Sequence, residues 1–443
     1  MVDSILKSTS TQFRYGHYDS TGTFIGVFIK GTDLTYDENG ALTGGTVNYI
    51  QYFEDNFPGS GSATRYYLKQ MDVVDVASLS TISPDWYKFE SKDLVWDYAG
   101  GLMTADWLPN TFTGTSGDDR MFLHQSGWID AGTGDDWIRG WTSANIIYAG
   151  DGNDTVYGGG GGDTVYGGAG NDRIFVTISN PYATYETNTA VGGTGDDSIF
   201  GGSGADYLFG GGQSDGGTNE MANGGNDLLK GYGGDDIIEG GSGNDTIYGG
   251  DGIDGLRGGS GSDVIFGGAG DDTITGNQGL KVGGADGTNR IYGGAGADWI
   301  EDGNGDDFIF GGADSDSILL GDGNDRANGG TQSDQIIVLG GGNKVLWGGG
   351  SELDVFYIDV KDSSGTVRIR DFDASDFVIL NDGTSMTAEE QFAFFHDNAV
   401  QVGTYVLWTS EDGAWSVRFD NTTLDDFALS HFSYTSPFVY GDF

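Results

Sequence analysis

The chain has 443 residues, and 67 acidic against 20 basic side chains give it a formal charge of −47. That balance excludes a basic nucleic-acid binder, which needs clustered Lys and Arg against phosphate. The absence of Cys excludes a disulfide scaffold and a thiolate zinc site.

Glycine is far above ordinary usage at 83 residues, yet 13% of the chain is aromatic, which a disordered acidic tail would not carry. No apolar run reaches the roughly 18 residues of a membrane-spanning helix. Residues 1–13 lack the apolar stretch of a secretory signal peptide. The composition suits an extracellular protein exported by another route.

Residues 1–110 carry no repeat. Phe13, Tyr15, Tyr18, Phe24, Phe28, Tyr49, Tyr52, Phe53, Trp86 and Trp96 are among their clustered aromatics. Residues 24–29 and 45–53 read as strands, with turn chemistry at Asp37, Glu38, Asn39 and Gly40. A compact β-rich module is expected here, and residues 98–109 lead out of it.

Residues 111–356 are organised by a nine-residue period. From Ala222 the chain reads ANGGNDLLK, GYGGDDIIE, GGSGNDTIY, GGDGIDGLR, GGSGSDVIF, GGAGDDTIT. The frame resumes at Gly284, and further copies lie upstream from Gly114, Ala131, Ala149 and Gly192. The pattern is G-G-x-G-x-D-x-U-x, with U a large aliphatic. Glycine at the first, second and fourth positions permits a tight turn with positive φ. The last three residues suit a very short strand with U pointing inward, as at Ile247, Ile265, Ile274 and Ile309. The sixth-position Asp offers the oxygen that a hard cation prefers; the alternative is a simple Asx-turn role. Asn145, Asn289 and Asn343 replace that Asp, which weakens any site there. Besides a short spacer at 123–130, interruptions fall at 176–191, 210–221 and 276–283, where surface loops are expected.

These nonamers resemble the RTX calcium-binding repeat over more than half of the chain. The resemblance implies an all-β fold, a calcium-loaded parallel β-roll with two nonamers per coil. It places each ion between turns of adjacent coils, on one side of the roll, with ligands eighteen residues apart, such as Asp227 with Asp245, Asp236 with Asp254, and Asp298 with Asp316. The candidate ligands are Asp119, Asp136, Asp154, Asp163, Asp172, Asp197, Asp206, Asp227, Asp236, Asp245, Asp254, Asp263, Asp272, Asp298, Asp307, Asp316, Asp325 and Asp334. The turn glycines Gly152, Gly161, Gly170, Gly195, Gly204, Gly225, Gly234, Gly243, Gly252, Gly261, Gly270, Gly296 and Gly305 accompany them.

Flanking segments extend the resemblance. Residues 31–50 resemble a small β module that precedes such repeats in exported proteins, and residues 367–380 resemble the segment that closes the roll. Within the roll-closing region 357–443, residues 387–396 form a helix candidate with Thr387 and Glu390 as a capping box. Residues 400–419 alternate as strands, and 424–443, acidic and aromatic, resemble a type I secretion signal.

Many RTX proteins are enzymes whose catalytic domain lies before the repeats. H-E-x-x-H is absent, and His17, His124, His396 and His431 are scattered. The G-x-S-x-G match at 212–216 places Ser214 before a glycine-rich run that no helix would use. The G-x-G-x-x-G match at 250–255 is a repeat turn. A glycosidase carboxylate pair within 1–110 is conceivable, but nothing selects one. The sequon at Asn421 reads as chance.

The expectation is a non-enzymatic, secreted, calcium-binding structural protein: a surface layer, sheath or filament subunit that folds on meeting extracellular Ca²⁺. Its expected partners are calcium, further copies of itself, a type I secretion transporter and cell-surface glycans. An adhesin or carbohydrate-binding matrix protein is the alternative, and an extracellular polymer-degrading enzyme the second.

Overall fold

One aliphatic side chain per nonamer cannot enclose a core unless successive nonamers stack. The computed structural model shows how they do. It describes residues 111–432 apart from 124–125, 141–142, 178–185, 212–223, 278–286 and 362, together with backbone strands between residues 7 and 97.

Consecutive nonamers alternate between two parallel sheets. Thr246–Asp251 pairs with Val264–Ala269 in one, and Ile237–Ser242 with Gly255–Ser260 in the other. The register sets Ile247 beside Ile265 and Ile238 beside Leu256. One sheet has 14 strands, from Thr111–Thr113 to Phe377–Asn381. The other starts with Trp96–Asp97 antiparallel to Asp119–Phe122 and runs in parallel to Gly365–Ile369. Trp415–Asp420 joins it there in parallel, and Tyr405–Thr409 and Ala399–Val402 finish it antiparallel.

The inward aliphatics form one continuous core. Ile238, Ile247, Leu256, Ile265 and Ile274 are all buried between the sheets, and the register stacks each on the equivalent residue of the next coil. The strands are longer than the expected three residues. Thr246–Asp251 is 6 residues long because the ladder runs on through Gly249 and Gly250, with Gly250 paired to Gly268 at a φ of 129°. Each coil thus satisfies its backbone groups against its neighbours through the turn as well as the strand.

The interruptions leave the register intact. Ile174 still pairs with Ile199, Ile199 with Leu229, and Ile265 with Ile291. They are also narrower than the sequence suggests. Val176 and Thr177 end the strand Arg173–Thr177, and Asn188 sits in a repeat turn before Thr189–Thr194. Gly210, Gly211, Gly276 and Asn277 likewise belong to the roll. Glu186 and Thr187 lead into the Asn188 turn, and the remaining interrupting residues, Ser214 among them, lie outside the described residues, as does His124.

The roll continues past residue 356, since Val355–Asp359 pairs with Phe377–Asn381 and Gly342–Gly349 with Gly365–Ile369. Its end is covered by the helix Ala388–Asn398. Thr387 caps it with the reciprocal Glu390 box, as expected. Phe395 packs against Phe419, Phe427 and Phe432, which seals the last coil. His396 lies on this helix, and His431 is buried edge-on to Phe372.

The expected N-terminal strands are present in a five-stranded antiparallel sheet, with Phe24–Tyr36 paired to Leu42–Asp55. The segment proposed as a secretion signal is described only to residue 432, where it forms short 3-10 turns. Among the described residues, no helix is long and apolar enough to cross a membrane.

Candidate metal centre

The stacked turns line up the sixth-position side chains in two rows, one for each alternate nonamer. In one row, the Asp227 N–H donates to Asp245 Oδ1 at 2.8 Å, and the Asp245 N–H to Asp263 Oδ1 at 2.9 Å. In the other, Asp236 N–H donates to Asp254 Oδ1 at 2.8 Å, and Asp298 N–H to Asp316 Oδ1 at 2.9 Å. The eighteen-residue pairs read from the sequence are therefore direct neighbours. All of the candidate carboxylates, from Asp119 to Asp334, are no more than 2% exposed.

Each carboxylate after Asp119 spends one oxygen on this ladder. The other is the decisive atom. At Asp154, Asp172, Asp227, Asp245, Asp254, Asp298 and Asp316, Oδ2 is buried with no hydrogen-bond partner. At Asp172, Asp245, Asp254, Asp298 and Asp316 it is aimed at the first-position glycine of its own repeat and the first-position carbonyl of the next coil, and at Asp227 it is aimed at Gly210 and the Gly240 carbonyl. A Cβ added to Gly240 would meet Asp245 Oδ2 and lie 2.6 Å from Gly258 O. A Cβ on Gly249 would meet Asp254 Oδ2 and lie 2.6 Å from Gly267 O.

Burial pushes the carboxyls of Asp197, Asp236 and Asp245 up to about 8, with neighbouring carboxylates adding to the rise. Asp136, Asp298 and Asp316 are raised to about 7, again chiefly by desolvation. A buried, unsatisfied anion is costly. A set of carboxylate and carbonyl oxygens is the donor set of Ca²⁺. The orphaned oxygens and the raised carboxyls both fit a divalent cation between coils.

The glycines have two separate reasons. Second- and fourth-position residues such as Gly241 and Gly243 have φ of 110° and 124°. The fourth-position candidates Gly152, Gly161, Gly170, Gly195, Gly234, Gly252, Gly261, Gly270, Gly296 and Gly305 share positive φ, whereas Gly204 and Gly225 reach the same turn without it. First-position residues such as Gly240 also lack positive φ, contrary to the sequence expectation. They are glycine because the carboxylate and a neighbouring carbonyl fill the space of a side chain.

Asn145 and Asn289 occupy sixth positions, as read from the sequence. Asn343 does not. Arg326 pairs with Val345, so Lys344 takes the sixth position and Asn343 the exposed fifth, where it bonds Asn324. The spacing from Asp325 to Lys344 is 19 rather than 18, and that extra residue displaced the frame. Sequence reasoning also missed Asn188, Asp354 and Asp376, which extend the second row. A further exposed row of fifth-position side chains was missed. Asn244 N–H donates to Asn226 Oδ1 at 2.7 Å, and Ser262 N–H to Asn244 Oδ1 at 2.8 Å. The recurrence of Asn or Asp at position five was the available signal.

A family model described as the RTX calcium-binding nonapeptide repeat matches residues 126–156, 142–174, 182–216, 221–256, 248–279, 283–318 and 301–336. This is an RTX-type repeat protein. RTX nonapeptides bind multiple Ca²⁺ ions, and they mark the chain as a calcium-binding secreted protein. Among solved structures, it is similar to the extracellular lipase LipA from Serratia marcescens, at 18% identity and a TM-score of 0.17. That likeness covers 54% of the RTX chain and 40% of the lipase. No curated protein matches.

Proposed function

We propose that this RTX protein is a non-enzymatic structural component of the cell exterior, which assembles with further copies of itself into a surface layer, sheath or filament. Within it, the sixth-position carboxylates and the turn carbonyls hold the ions, and calcium met after type I export completes the fold.

The observation that carries the assembly reading is a column of outward rings along one sheet. Tyr248, Phe266, Tyr292 and Phe310 stack at 4.8, 4.8 and 5.6 Å, and Lys230 lies 4.7 Å over Tyr248. Tyr157, Phe175 and Phe200 continue the same sheet at 5.0 and 4.7 Å. Exposed apolar surface in rows marks contact surfaces, and a straight column suits side-by-side packing of rods. The same rings favour a second reading, an adhesin that stacks them on sugars of cell-surface glycans.

Negative-stain microscopy of purified protein tests the choice. Ordered assemblies are expected with Ca²⁺ and none in excess EGTA. Only dispersed monomers at high concentration in Ca²⁺ would overturn assembly, and glycan-array binding by those monomers would favour the adhesin.

A further inference from the structure

One sixth position carries a cation in place of a carboxylate. Lys344 is buried, and its Nζ donates to Gly321 O at 2.6 Å, Gly341 O at 2.8 Å and Gly323 O at 2.9 Å while pairing with Asp325 Oδ2. Gly321, Gly323 and Asp325 are the second, fourth and sixth residues of one turn, and Gly341 lies in the turn of the next coil. A single tethered ammonium therefore gathers oxygens from both turns.

One coil earlier, Asp302 stands at a first position, where Gly293 and Gly311 stand in the neighbouring repeats. It is fully buried. Its Oδ1 accepts from Gly321 N–H at 2.8 Å, and its Oδ2 has no hydrogen-bond partner. One carboxylate oxygen from each of Asp302, Asp307 and Asp325 lies within 4.8 Å of the others.

We propose that Asp302, Asp307 and Asp325 form a distinct Ca²⁺ site, the tightest of its row, and that the Lys344 ammonium ends the row by standing where the next ion would bind. Three carboxylates and one ammonium leave two negative charges, which one divalent cation balances. Affinity at oxygen sites rises with the number of charged ligands, and Asp302 supplies a carboxylate that a first-position glycine cannot. The inference rests on the calcium reading of the array.

Equilibrium dialysis of the full chain with radioactive Ca²⁺ in chelator-buffered solutions tests it. The wild type is expected to retain one ion at a free Ca²⁺ on the order of tenfold below that needed by the rest. Asp302→Asn should abolish that separate step. Asp302→Gly, which restores the repeat pattern, should do the same and guards against misfolding of the first variant. Lys344→Asp, with its β circular dichroism intact, should bind one more ion than the wild type. A wild-type isotherm unchanged by both Asp302 substitutions overturns the distinct site, and no added ion in Lys344→Asp overturns the ammonium assignment. Absence of any Ca²⁺ binding by the wild type would instead remove the array reading itself.

Discussion

At the scale of the residue, the sixth-position Asp has two tasks divided between its two oxygens. Asp245 Oδ1 holds the previous coil through the Asp227 N–H, and Oδ2 is left for a cation. Asp119 differs, because its Oδ2 accepts from Thr115 N–H at 2.6 Å, and its row has no earlier candidate carboxylate. Asp245→Ala should therefore raise the Ca²⁺ needed for half-maximal folding more than Asp119→Ala does. Circular dichroism during a Ca²⁺ titration reads this, and equal midpoints would argue against coupling between coils. These aspartates were legible because one residue type recurred at one position. Asp302 and Lys344 were not. An Asp at position one looks like any surface acid in so acidic a chain, and Lys344 entered its place only through the extra residue after Asp325.

At the scale of the element, the strand is a compromise between one large inward side chain and small inward glycines. In Thr246–Asp251, Ile247 and Gly249 are buried while Tyr248 faces out. Ile265 stacks between Ile247 and Ile291 along the sheet. Ile265→Ala should cost about 2–5 kcal/mol of stability, because close-packed neighbours on both sides cannot collapse into the space. Denaturant unfolding in saturating Ca²⁺ measures it; a loss below about 1 kcal/mol would show a loosely packed core. Strand existence was legible from the period, and the helix from its capping box. Strand length was not, because glycine pairs read as breaks, whereas stacking keeps Gly250 paired with Gly268 in the ladder at positive φ. The short interruptions were overdrawn for a related reason: Asn188 keeps a ladder place without the repeat's glycines around it.

At the scale of the molecule, stability depends on how the buried carboxylates are neutralised. Asp197, Asp236 and Asp245 are raised from 3.8 to about 8 in the fold, first of all by desolvation. A raised value means that the folded state holds the proton more tightly than the unfolded chain. The stabilisation is complete below about pH 4 and is lost progressively as pH rises to about 8. In excess chelator, β circular dichroism should therefore be larger near pH 4 than at pH 8, and Ca²⁺ at pH 8 should restore it. Equal chelated spectra at both pH values would contradict the burial of these groups. The roll itself was legible from its period, and −47 set its terms: repulsion opposes the fold until protons or calcium cancel it.

The unequal coils give the roll a mechanical signature. Most turns are linked to partners 18 residues away, but Asp172 reaches 25 residues to Asp197, Asp197 reaches 30 to Asp227, and Asp263 reaches 26 to Asn289. Pulled from its ends, such a rod would unwind coil by coil. An ordinary coil releases about 60 Å of chain and the longest about 100 Å. A tether anchored at one end would lengthen in discrete steps rather than snap, and the insertions would set which step is longest.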